Sequence, residues 1–244
     1  MRLRLASYNV HKCVGLDRRR KPGRIARVLA ALEADILVLQ EVDLRLPPRP
    51  AALAREFAER ASGLTALPFP LDGGPSFGWH GQTILVHPDI AVSRIRRLVL
   101  PGLEPRGALM AECRTGGGPL RVVAVHLGLI GRFRRMQLAA IGAAIGHREP
   151  MPTVVIGDFN EWSHRGGVEP LGPGFRLHAP GPSFPAARPL GALDRIAVGP
   201  GIHLVDCGIH AAAPARIASD HLPIWAEIRI GEEPAAADGP AIGS

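Results

Sequence analysis

Leu3, Leu5 and Ser7 alternate with Arg2 and Arg4, the period-two pattern of a half-buried strand, which runs out at Asn9. An arginine-rich loop over 17–23 follows. Ile25, Val28, Leu29 and Leu32 then recur at helical spacing, with Arg24 and Arg27 on the outer face. The run from Asp35 to Gln40 is continuously apolar at its centre, as a strand covered on both faces must be, and it delivers Glu41 to its end. Pro47, Pro48 and Pro50 break the chain before a predicted helix over 51–61. Strands follow at 84–86, 91–98, 109–113 and 120–125, separated by turn chemistry such as His87-Pro88-Asp89 and Gly116-Gly117-Gly118-Pro119. A helix over 134–147 leads into the buried strand Thr153-Val154-Val155-Ile156, and 166–189 reads mostly as loop. Two or three closing strands carry Asp194, Val205 and 224–230.

Helices interleaved with strands, several of them antiparallel by their short connections, predict an α/β chain. The expected form is a four-layer α/β/β/α sandwich with two packed mixed, largely antiparallel sheets. At 244 residues one domain over 1–230 suffices, and the Glu, Pro, Ala and Gly composition of 231–244 predicts a disordered tail. The core must be aliphatic, since aromatic residues make up only 5% of the chain. The formal charge of +7 is carried almost entirely by arginine, Lys12 and Lys21 being the only lysines. Two readings of it stand: a basic face for a polyanion such as nucleic acid or an anionic membrane, or charge spread evenly by an arginine-rich composition. Cys13, Cys113 and Cys207 have neither disulfide nor metal-ligand spacing, which predicts free thiols in a reducing compartment. Met1 to Leu5 run straight into a strand, and no apolar stretch reaches the roughly 18 residues of a membrane span. A cytoplasmic protein is the expectation.

The chemistry gathers where strands end. Val154-Val155-Ile156-Gly157-Asp158-Phe159-Asn160 sets two oxygen donors beyond a buried strand, with Gly157 allowing a sharp turn; an Asx-turn with Asn160 as a helix cap is the structural alternative. Adjacent Asp220 and His221 point apart, so one can bind metal while the other faces a phosphate. Asp194 is the natural carboxylate to orient His221. His126 ends a strand and is either a second imidazole that protonates a leaving oxygen or a hydrogen-bonded structural residue. Glu41 and Asn9 are weaker signals: a buried carboxylate can pair with arginine, and an amide can merely cap a turn.

In their order along the chain, Asn9, Gln40-Glu41, His126-Leu127-Gly128, Gly157-Asp158-Phe159-Asn160, Leu193-Asp194 and Ser219-Asp220-His221 resemble the endonuclease/exonuclease/phosphatase superfamily. That group includes pancreatic-type deoxyribonuclease, abasic-site endonucleases, sphingomyelinases and inositol-polyphosphate 5-phosphatases. The resemblance implies a Mg²⁺ ion (Mn²⁺ as substitute) on Glu41, with Asn9 and Asp220 close by. It implies that Asp158 and Asn160 contact attacking water and phosphate, that Asp194 supports His221, and that His126 is the second histidine of the deoxyribonuclease and sphingomyelinase branches. The chain departs from the pattern at Gly81-Gln82-Thr83, where many members have Gly-Asn-Ala; Gln82 offers its amide to substrate from a longer arm. Arg195 stands where an aromatic often follows the Asp. His11 and Lys12, beside Asn9, either add positive charge at the phosphate or decorate the loop.

The expected function is metal-dependent phosphodiester hydrolysis by in-line attack of water, the base being Asp158 or the His221–Asp194 pair. The substrate is nucleic acid, or alternatively a phospholipid or phosphorylated small molecule; a catalytically inactive binding module is the remote alternative. No protein partner is predicted.

Overall fold

In a computed structural model, the described residues are 1–44, 48–69, 75–163 and 167–231. In chain order the elements are β1 (Leu3–Asn9), α1 (Pro22–Leu32), β2 (Ile36–Gln40), α2 (Arg55–Ser62), β3 (Thr65–Ala66), β4 (Thr83–Val86), β5 (Ala91–Val99), β6 (Gly107–Thr115), β7 (Gly118–His126) and α3 (Gly131–Gly146). They continue with β8 (Thr153–Asp158), β9 (Arg176–His178), β10 (Asp194–Val198), β11 (Ile202–Ile209), α4 (Ala215–Ala218) and β12 (Ile224–Ile230). Two six-stranded sheets form, in the orders β11-β12-β1-β2-β4-β3 and β5-β6-β7-β8-β10-β9. Each is antiparallel except at one central pair, β1 with β2 and β7 with β8. The mixed, largely antiparallel sandwich expected from the sequence is borne out.

Strand alternation explains the layers. On β1 and β2, Leu3, Leu5, Ile36 and Val38 face the other sheet, where Val122, Ala124, Val154, Ile156, Ile196 and Val198 meet them in one buried inter-sheet core. The opposite faces are covered by helices. Ala6, Tyr8, Leu37 and Leu39 pack in a cluster with Ile25, Val28, Leu29 and Leu32 of α1, and Val123, Val125 and Val155 pack with Leu138 and Ile141 of α3. Both faces of β2 are therefore dry, and all five of its residues are buried.

The helix expected over 51–61 begins later, at Arg55. The preceding residues are held by the strand-end loop instead: Ala51 pairs with Asp43, and the amides of Ala52 and Leu53 donate to the Val42 carbonyl. The stretch read as loop over 166–189 contains the short strand β9, paired to β10, within its otherwise irregular course. Residues 161–163, directly after Asn160, are not helical, so its helix-cap alternative is not realised, while the Asn160 amide donates to Asp158 Oδ1 as an Asx-turn does. The tail expected over 231–244 lies, beyond Gly231, outside the described residues. Among the described residues no helix is long and apolar enough to cross a membrane.

Candidate active site

The site is the polar continuation of the inter-sheet core. Asn9 and Gln40 end adjacent parallel strands in register. In the other sheet Asp158 is flanked in register by His126 on β7 and Asp194 on β10. Cross-strand neighbours project to one face, so these side chains meet in the gap between the sheets, where the aliphatic pairs end.

Asp158 is the hub. Its Oδ2 accepts from Asn9 Nδ2 at 3.1 Å, and its Oδ1 accepts from the Asn160 backbone amide at 2.9 Å. The same Oδ2 lies 3.5 Å from His126 Nε2 and 3.8 Å from His221 Nε2. His221 Nδ1 meets Asp194 Oδ2 at 2.8 Å, and Ser183 Oγ donates to that same oxygen at 2.6 Å. Burial opposes charge on the His221 ring, but the Asp194 and Asp158 carboxylates overcome it and raise its pKa. Burial, with Asp194 adding to it, also raises Asp158, against the pull of His221 and of the Asn160 and Asn9 hydrogen bonds. The two carboxylates therefore favour the charged form of the buried ring.

The turn that carries Asp220 and His221 is tied in place from both sides. Ser219 Oγ donates to the Asn9 carbonyl at 2.7 Å, and the Leu222 amide donates to Ser183 at 2.8 Å. The Phe184 ring lies on His221 at 4.8 Å, and Trp162, 59% exposed, meets Phe184 edge-on. Asn160 Nδ2 donates to the Leu127 carbonyl at 2.9 Å, holding the His126 strand end. Arg134 donates to the Gly128 and Leu129 carbonyls and pairs with Glu161, while Gln137 accepts from the Gly128 amide. Arg195, where the pattern has an aromatic, donates to the Glu161 and Ser163 carbonyls. These residues brace the site from behind.

Beside this network a cleft is lined by Lys12, Glu41, Asp43, Arg49, His80, Glu104, Arg106 and His126. Glu41 pairs there with the Lys12 ammonium. Burial pushes the Asp43 carboxyl up to about 6, helped by Glu41 and opposed by Arg49 and Lys12. Asp220 stands at the same end, 3.6 Å from His11 Nδ1, and His11 donates its backbone amide to Asn9 Oδ1. Non-glycine residues with positive φ cluster here: His11, Lys12, Cys13, Glu41, Arg49, His80 and Asn160. Such conformations cost on the order of 1–3 kcal/mol each and gather at functional sites.

Asn9, Asp158, Asn160, Asp194, His126 and His221 therefore come together in one network, with Glu41, His11 and Asp220 alongside. Gln82 does not join them. It has no solvent exposure, and its Nε2 donates to the Gly107 carbonyl at 2.5 Å, so the amide expected to reach substrate braces β4 against β6. Sequence reasoning missed Ser183 and Phe184, which sit in a proline-rich loop with no motif, and Asp43, Arg49 and Arg106 of the cleft. A run of Gln-Glu-Val-Asp was the available signal for Asp43.

The donor chemistry separates two sites for a cation. Asp158, Asp194 and His221 offer ligand atoms within 4.8 Å of one another. Yet His221 Nδ1 is already joined to Asp194 Oδ2, and the Asp158 oxygens accept from Asn9 and Asn160; Asp194 Oδ1 alone of the carboxylate oxygens is buried with no hydrogen-bond partner among the described residues. Glu41, in the cleft that Asp43 also lines, presents hard carboxylate oxygens that suit Mg²⁺ or Mn²⁺, and it pairs there with the flexible Lys12 ammonium.

Residues 6–221 match the sequence profile of the Endonuclease/Exonuclease/phosphatase family. No curated protein matches the chain. Among solved structures, an endonuclease/exonuclease/phosphatase from Beutenbergia cavernae DSM 12333 is 21% identical with a TM-score of 0.69, the match covering 96% of this chain and 73% of that one. A functionally unknown conserved protein from Enterococcus faecalis V583 reaches a TM-score of 0.76 at 20% identity, over 94% of this chain and all 100% of the other. D. rerio TDP2, solved with a single-strand DNA product, is 18% identical at a TM-score of 0.70, over 93% and 99% of the two chains. These likenesses bear on the fold; the profile match spans most of the sequence, and by it the chain belongs to the endonuclease/exonuclease/phosphatase family.

Proposed function

We propose that the chain is a divalent-metal-dependent phosphodiester hydrolase whose substrate is nucleic acid. The observation that carries the reading is Asp158, held by Asn9 and Asn160, facing the Nε2 atoms of both His126 and His221, with Asp194 behind His221. Glu41, with Asn9 and Asp220, would hold Mg²⁺ or Mn²⁺, which supplies Lewis-acid polarisation of a phosphoryl oxygen. Asp158 takes the proton of the attacking water. His221, charged between two carboxylates, stabilises the negative charge that develops on phosphorus oxygens, and Asn160 orients them. His126 protonates the leaving oxygen. Arg49, Lys12 and Arg106 bring cationic side chains to a cleft that Glu41, Asp43 and Glu104 also line, so an anionic substrate has cations to meet there once the carboxylates are engaged. The TDP2 structure, with its DNA product, supports the choice of nucleic acid over other phosphodiesters.

The test is incubation of supercoiled plasmid with wild type and His221→Ala, in Mg²⁺ and in EDTA. Wild type nicks in Mg²⁺ alone, and His221→Ala is slower by on the order of 10²–10³. Absence of nicking under every condition sinks the nucleic-acid reading. One observation favours a phospholipid or small phosphoester instead: Trp162 at 59% and Leu190 at 67% exposure flank the loop that carries Phe184 onto His221. Co-sedimentation with anionic vesicles and release of headgroup would mark that second case.

A further inference from the structure

His11, Lys12 and Cys13 form a turn with φ values of 46°, 54° and 61°, three successive left-handed residues of which none is glycine. L-residues visit this region singly and reluctantly. The turn persists because it is over-determined. Lys12 donates its amide to the Glu41 carbonyl at 3.0 Å, Cys13 to Val10 at 2.8 Å and Val14 to His11 at 2.9 Å, while the Lys21 amide donates to Cys13 at 2.8 Å. The effect of this strained turn is to aim one side chain: the Lys12 ammonium lies on the Glu41 carboxylate, at the cleft that His126 also lines. Lys12 keeps 26% of its side chain exposed and Glu41 15%, so the ammonium has a path outward along the cleft. A lysine is a compact charge on a flexible stem, able to leave one anion for another without moving the backbone.

We propose that Lys12 is a tethered counter-ion: it neutralises Glu41 in the metal-free protein, gives up the carboxylate when a divalent cation binds there, and moves to the substrate phosphate. This rests on the assignment of Glu41 to a metal. An ammonium and a divalent cation on one carboxylate repel each other, so the ammonium competes with the cation. Once released into a cleft bearing a new cation, it meets an incoming phosphate. Lys12 thereby couples the two binding events, making anion binding stronger when metal is present. It is a positioning residue whose signature is in binding equilibria.

The experiment is calorimetric titration of Mn²⁺ into the full chain, for wild type, Lys12→Met, Lys12→Gly and Glu41→Gln, with and without inorganic phosphate. Lys12→Gly also relieves the positive φ, so a folded variant lacking the ammonium is secured even if methionine disturbs the turn. Both Lys12 variants should bind Mn²⁺ more tightly without phosphate, by about five-fold, the upper range for an ion pair that is not fully buried. In wild type, phosphate should tighten Mn²⁺ binding, and by linkage that enhancement should shrink in both Lys12 variants to what the direct metal–phosphate contact alone supplies. If Glu41→Gln abolishes Mn²⁺ binding while the Lys12 variants bind as wild type or more weakly, the counter-ion role is overturned and the metal assignment stands. If wild type binds no Mn²⁺, or Glu41→Gln binds as wild type does, the metal assignment falls and the proposal falls with it.

Discussion

Asp194 shows how much one carboxylate controls. It is fully buried, its Oδ2 receives both Ser183 and His221, and it favours charge on His221 and holds the ring toward Asp158. Asp194→Asn preserves the shape but offers no charge to the ring. Hydrolysis of a chromogenic phosphodiester should fall by on the order of 10²–10³, and the melting temperature should fall as well, because the buried ring loses its carboxylate partner. An activity loss below ten-fold would remove Asp194 from the site. At the start of α1, Arg24 hydrogen-bonds Asp17 and holds that carboxyl down at about 2. A depressed folded-state pKa stabilises the protein above the unfolded value of 3.8 and loses that contribution as pH falls through about 2. Asp17→Asn should therefore flatten the acid limb of the melting temperature against pH over that window. The Asp194–His221 pairing was legible in the sequence because both ends stand in short motifs whose chemistry needs a partner. The Gln82–Gly107 hydrogen bond was not legible, because a polar residue at a strand start looks the same whether its amide meets solvent or a buried carbonyl.

Among elements, β8 carries the site and Gly157 makes it possible. Gly157 has φ +150°, and a Cβ there would lie 2.0 Å from the Val125 carbonyl oxygen, a backbone atom that cannot yield. Parallel pairing with β7 sets His126 opposite Asp158 just past this point of closest approach. Gly157→Ala must either part the two strands or twist β8, and the expected cost is about 3 kcal/mol or more. A urea titration read against wild type measures it; a midpoint unchanged by the substitution would contradict the close approach. The long strands and α1 were legible because their periodicity is set by burial on one or two faces. The start of α2 was misplaced because Ala51 and Ala52, helix formers by propensity, are taken into pairing with the Val42–Asp43 segment. The three-residue β9 leaves too short a pattern to read.

For the molecule as a whole, the two sheets contribute complementary halves of the candidate site: Asn9 and Glu41 from one, His126, Asp158 and Asp194 from the other. The family was legible in the sequence because six short motifs kept their order, while the cleft's charge was not, since arginines far apart in sequence converge only through the fold. Arg49 and Arg106 reach the cleft from different loops, and Arg97 of β5 lies over Trp79, next to His80. Not all of this charge is available to a ligand, because Glu104 pairs with Arg106 and Glu41 with Lys12. A single-stranded oligonucleotide that contacts Arg49 and one further arginine should show a slope of log affinity against log salt of about −1.4, at roughly −0.7 for each phosphate neutralised. Measured by fluorescence anisotropy in EDTA, so that no turnover intervenes, Arg49→Gln should make the slope shallower by about 0.7 if that arginine neutralises one phosphate. A flat salt dependence in wild type, beside firm binding to anionic vesicles, would instead assign the basic cleft to a lipid phosphodiester and make exposed Trp162 and Leu190 its apolar contacts.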